Sequence, residues 1–138
     1  LYGRENNSGT YAFFNKRALQ KEDYTAKTQT LPGTAAVVNA VAQDENGIGY
    51  GGIAWATGVK FAAVSENDKT AAILPSVETV SNGTYPISRD LYWFFSEKPT
   101  GEVKKLLNWC LSPDGQKISE SIGYVPLSAE KAQAQIIK

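Results

Sequence analysis

The sequence predicts an α/β fold, a mixed sheet flanked by helices, and three observations lead there. Short runs rich in β-favouring residues alternate with stretches of helical apolar spacing. Serine or threonine stands where those helical stretches begin. Gly, Pro and Asn punctuate the joins. At 138 residues the chain is long enough for one domain with a real core, or for two small lobes.

In order, "LYG" reads as the end of a strand. A helix follows from near Ser8, with Tyr11, Phe14 and Ala18 on one stripe. "KEDYTAKTQTLPG" is polar, ends in Pro32-Gly33, and is expected to be mostly loop. "TAAVVNAVAQDENG" predicts a helix capped by Thr34 and stopped by Asn46-Gly47. "IGYGGIAWA" predicts a buried strand whose glycines allow a close approach, either of a ligand to the backbone or of a helix packed tightly on it. "VKFAAV" is a second expected strand, "NDKTAAIL" a loop leading to another, and "PSVETVSNG" a short helix capped by Ser76.

The chain changes character at "TYPISRDLYWFF", which favours a strand that Pro86 restricts to an edge or a crossing segment. Helical patterns then run over Thr100–Leu111, from Ser112-Pro113 to Ile122, and from Ser128 to Ile137. Cys110 lies in the first of these and reads as a buried small hydrophobe. Trp55, Trp93 and Trp109 read as core or lobe-interface residues.

Composition removes whole classes of function. Lys+Arg and Asp+Glu are 14 each, so the net charge is zero and the basic excess of nucleic-acid and anionic-membrane binders is missing. With no His, no Ser–His or Cys–His nucleophile pair can be assembled from this chain. A single Cys and no His also exclude a zinc site of the usual ligands, and no cofactor motif is present. The chain starts at Leu1 and lacks Met, as expected of a processed product or an excised piece.

The densest chemistry is in "RENNSGT", residues 4 to 10. Ser8 and Thr10 offer hydroxyls, and Gly9 lets the backbone come close. The first amides of a helix starting here have no intrahelical partner, and the helix dipole adds partial positive charge. Arg4 supplies a planar fork suited to oxyanions. Together they describe a site for a small tetrahedral anion. Plain turn and cap chemistry is the competing reading. Gly33-Thr34 opens a second helix start, which either faces the same cleft or simply caps.

The order "GRENNSGTYAFF … LPGTAAVVNAVAQDENGIGYGGIAWA … ETVSNGTYPISRDLYWFF … LNWCLSPDGQKISESIGYVPL" closely resembles the phosphate-binding proteins of ABC transporters, members of the type II periplasmic-binding-protein superfamily. The resemblance covers Tyr2 to Leu127. It implies two α/β lobes joined by crossing strands and closing on an oxyanion. The match to the family's Arg-x-x-x-Ser-Gly-Thr motif puts Arg4, Ser8, Gly9 and Thr10 on the bound anion. Residues 1–85 would be the second, anion-binding lobe, and 86–138 the crossing strand and C-terminal helices that complete the first. Most of that N-terminal lobe would lie before Leu1. Where some members carry an aspartate that accepts the proton of monohydrogen phosphate, this chain has Asn6, a neutral acceptor.

The resemblance therefore implies a non-catalytic, extracytoplasmic substrate-binding component that captures inorganic phosphate and delivers it to a membrane permease. A binder of another oxyanion, and a sensor or adhesion module on the same fold, are the alternatives. Apolar surface on 86–138 that lacks its first-lobe partner is expected to drive self-association of the isolated chain.

Overall fold

The computed structural model describes residues 1–138. The chain packs as two compact units, Leu1–Val64 and Ser65–Lys138. Together they are mixed α/β, as the sequence predicts.

The first unit is built around strand β1 (Tyr2–Arg4), helix α1 (Gly9–Arg17), strand β2 (Gln29–Leu31) and helix α2 (Thr34–Gln43), with a 3-10 turn at Ile53–Trp55. β1 and β2 are parallel, with Tyr2 opposite Gln29, Gly3 opposite Thr30 and Arg4 opposite Leu31. α1 is thus the crossover that parallel pairing requires. α2 packs on both strands, and its Val37 is only 1% exposed.

Two expectations are corrected in this unit. The polar stretch before Pro32 is not all loop: Gln29–Leu31 form β2 because their backbone groups meet β1, which no side-chain pattern announces. "IGYGGIAWA" is not a strand. Tyr2 N–H donates to the Ile48 carbonyl at 2.8 Å, and Tyr2 and Gly49 form one parallel bridge. Pairing stops there, and Ile53–Trp55 coil into the 3-10 turn. The glycine at 49 serves tight packing: a Cβ there would lie 2.8 Å from Val37 Cγ1 and 3.0 Å from Val41 Cγ2.

The second unit holds helices α3 (Val77–Ser81), α4 (Gly101–Cys110), α5 (Pro113–Ser121) and α6 (Ala129–Gln135). Three of their starts are written locally. Ser76 and Thr79 form a reciprocal capping box, Ser112 accepts from the Gly115 amide with Pro113 in the first turn, and Ser128 accepts from the Lys131 amide. α4 packs on α5. Asn108 on α4 holds the end of α6 by a two-way clasp with Ile137, 3.0 Å and 2.9 Å. Gln116 joins the Cys110 carbonyl to the Leu127 amide in the same manner, at 2.8 Å and 2.7 Å.

"TYPISRDLYWFF" and "VKFAAV" do not form strands; only Val64 and Ile73 make single bridges nearby. Strand propensity without a neighbouring backbone to pair with does not make a strand. Leu91 to Phe95 are consequently exposed, Phe94 at 90%. Trp55, Trp93 and Trp109 are exposed rather than core, and Cys110 is half-buried. No helix is long and apolar enough to cross a membrane.

Candidate anion-binding site

The loop between β1 and α1 closes on itself before the helix begins. Ser8 N–H donates to the Glu5 carbonyl at 3.0 Å, which sets Asn6 and Asn7 at the exposed tip of a turn. Ser8 is the N-cap, in extended conformation and 8% exposed, and its Oγ accepts from the Thr10 amide at 3.1 Å. Gly9 and Thr10 are the first helical residues, exposed and half-buried respectively. Helix geometry leaves the Gly9 and Tyr11 amides without an intrahelical acceptor. The first turn carries no acidic residue while Lys16 and Arg17 stand in the last, so nothing on the helix neutralises the positive end of its dipole.

Arg4 ends β1 and is fixed from three sides. Its Nη1 donates to Thr34 Oγ1 at 2.8 Å and its Nη2 to the Pro32 carbonyl at 3.3 Å. Its backbone amide donates to Tyr50 Oη at 3.2 Å. Nε is buried with no hydrogen-bond partner. Both acceptors of the guanidinium are neutral oxygens, so its charge is held in place but not balanced by a carboxylate there. α1 and α2 each follow the carboxyl end of one of two adjacent parallel strands. Their starts therefore share the edge where open α/β sheets bind ligands.

The site residues expected from the sequence fall in three groups. Ser8, Gly9 and Thr10 together form the start of α1. The Arg4 guanidinium reaches the start of α2. Asn6 joins Glu5, Asn7, Tyr11 and Thr30 around an open hollow of about 490 Å³. Two further residues belong to this arrangement, Thr34 and Tyr50. Thr34 is not the cap of α2: Gly33 is, with no side-chain capping bond, which frees the threonine hydroxyl to accept from Arg4. A helix-opening threonine behind a glycine was the only signal for it. For Tyr50 the signal was the run of glycines around it.

No group of three or more His, Cys, Asp or Glu residues is placed to hold a metal ion. Burial, followed by a hydrogen bond with Tyr50, raises the Tyr24 phenol above its ordinary 10.0. A hydrogen bond to Asp44, at 2.9 Å, does the same for Tyr2.

The phosphate-binding protein PstS of Pseudomonas aeruginosa is 38% identical over 99% of this chain and 44% of its own length. Protein SphX of Synechococcus elongatus is 33% identical over 94% of this chain and 40% of its own. This chain thus spans less than half the length of the curated relatives it matches. The crystal structure of a possible phosphate binding protein from Planctomyces limnophilus superposes with a TM-score of 0.67 at 21% identity, covering 99% of this chain and 53% of that one, which shows a shared fold. Residues 1–114 match the family described as the PBP superfamily domain. By that match, over most of its length, the chain belongs to the PBP superfamily.

Proposed function

We propose that this chain supplies the anion-binding lobe of the substrate-binding component of an ABC transporter, and that the anion is inorganic phosphate. The observation that carries the reading is Arg4: a guanidinium anchored by two neutral oxygens, with Nε buried and unpaired, beside helix starts that lack acidic residues. In the proposed complex Arg4 supplies charge, Ser8 and Thr10 supply hydroxyl or amide donors, and Gly9 supplies an amide. Asn6 accepts the proton of monohydrogen phosphate as a neutral acceptor. Because it lacks the charge that would reject a fully ionised anion, discrimination against sulfate is weaker than a carboxylate at that position would give. The names of the PstS relatives support phosphate as the ligand.

In this reading the role is binding and delivery to a membrane permease outside the cytoplasm, with no catalytic step. Residues 1–85 act as the second lobe and 86–138 return to complete the first. The exposed run Leu91–Phe95 is then the crossing segment, covered in the two-lobed protein by first-lobe chain. In the isolated chain it is the surface that drives self-association.

The test is calorimetric titration of an N-terminally extended, two-lobed protein containing this chain, with phosphate and then sulfate. Phosphate binds, and Arg4→Ala weakens it by roughly a hundredfold or more, the scale of losing a charged, desolvated hydrogen-bonding group. Unchanged affinity in Arg4→Ala sinks the site, and no response to phosphate in the parent protein sinks the function.

A further inference from the structure

The stretch Gly49-Tyr50-Gly51 is left unused by the reading above, and it meets both Arg4 and Thr34. Parallel pairing of β1 with residues 48–50 begins with the Tyr2 amide on the Ile48 carbonyl. The next rung of that ladder would be the Arg4 amide on the Tyr50 carbonyl. Instead the Arg4 amide donates to the Tyr50 hydroxyl. A side chain thus stands in for a backbone acceptor at the one residue whose guanidinium the site depends on.

Tyr50 is itself held by α1. Its ring stacks on Phe14 with centroids 4.1 Å apart and planes 6° from parallel, and on Tyr24 at 5.9 Å and 22°. The Tyr24 hydroxyl donates to the Tyr11 carbonyl, in the first turn of α1, at 2.9 Å. Each phenol has one proton to give, and that of Tyr24 is committed to Tyr11. A relay thus runs from the Arg4 amide to the Tyr50 hydroxyl, through the stacked rings of Tyr50 and Tyr24, to the Tyr24 hydroxyl on the Tyr11 carbonyl.

The neighbouring glycines make this possible. A Cβ on Gly3 would lie 3.2 Å from Tyr50 Oη and 3.1 Å from Thr28 Cγ2, so the hydroxyl reaches β1 only over a bare backbone. A Cβ on Gly51 would overlap the Thr34 methyl. Gly51 therefore lies directly under the residue whose hydroxyl holds Arg4 Nη1.

We propose that Tyr50, with Tyr24 behind it, is a positioning residue for the anion site. The relay holds the strand end that carries Arg4 at a fixed separation from the first turn of α1, which carries the Ser8–Thr10 donors. This rests on the binding role proposed above for Arg4 and α1. A displaced guanidinium no longer meets the same oxyanion as those donors, so the relay governs affinity without touching the ligand.

Tyr50→Phe keeps the stacked ring and removes only the acceptor for Arg4. Tyr24→Phe breaks the relay one bond further on. Both are made in the N-terminally extended protein and compared by phosphate calorimetry, thermal melting and hydrogen exchange at the Arg4 amide. Expected for Tyr50→Phe are a Kd for phosphate about tenfold weaker and Arg4 exchange about tenfold faster, with little change in Tm. Tyr24→Phe moves Kd in the same direction. A phosphate Kd unchanged by Tyr50→Phe overturns the proposal, as does an Arg4 amide exchanging at the wild-type rate. If the unsubstituted protein binds no phosphate, the functional reading itself fails, and Arg4 exchange alone then decides whether the relay exists.

Discussion

The two compact units are stabilised in different ways. In Leu1–Val64 the decisive bonds join residues far apart in sequence: Tyr2 to Asp44, Arg4 to Thr34 and Tyr50, and β1 to β2. In Ser65–Lys138 three of the four helix starts are closed by serines three residues from their partners, and longer reach is left mainly to Asn108 and Gln116. The first unit carries the candidate site, and the second carries the long exposed apolar run. The difference teaches that a polar site of fixed geometry is built from long-range bonds. Locally capped helices form without such bonds and can leave apolar surface for another partner.

Substitutions can break or sharpen that contrast. The largest loss of stability is expected from Leu107→Ala on α4, because Leu107 is 6% exposed and no other large apolar side chain of this unit is buried as fully. Urea denaturation should show about 2–4 kcal/mol lost; a loss below 1 kcal/mol would mean that the capped helices stand without it. Gly49→Ala attacks the first unit instead, driving a methyl to within 2.8 Å of Val37 Cγ1. A cost of about 1–3 kcal/mol is expected, read from the same denaturation curves, and a neutral result would show that α2 shifts freely away from the bridge.

Ser112→Ala removes a purely local feature, the cap of α5. About 1 kcal/mol should go, with circular dichroism showing fraying confined to a fraction of the helix signal. Losing much more would place Ser112 in a longer network than its hydrogen bond to Gly115 indicates. The smallest effect belongs to Lys105→Ala. Its 2.7 Å bridge to Glu102 joins side chains that are 74% and 86% exposed. Solvent screening should hold the change in unfolding free energy near zero, at most about 0.5 kcal/mol by the same denaturation curves.

How much of this was legible in the residues follows from the same contrast. The helices of the second unit could be read almost to their ends, because Ser76, Ser112 and Ser128 each act on an amide three positions away. The start of α1 was legible for the same reason, and Ser8 caps it as its residue type requires. Apart from "LYG", which opens onto β1, the strands were not legible. Gln29–Leu31 have no apolar alternation yet pair with β1, while "IGYGGIAWA" and "TYPISRDLYWFF" have strand composition and do not extend. A strand is a relation between two backbones, and neither composition nor period says which backbone is near.

The sequence by itself determined the α/β class, the helix starts, the absence of histidine chemistry, and the grouping of Arg4, Asn6, Ser8, Gly9 and Thr10 in one short loop. These follow from rules acting over three or four residues and from what is missing altogether. Only the tertiary structure decided that Arg4 would be held by Thr34 and Pro32, 30 and 28 residues away, and that Tyr50 would take its amide. The reason is physical: those partners meet because parallel pairing sets two helix starts on one edge of the sheet, a juxtaposition that no local propensity encodes.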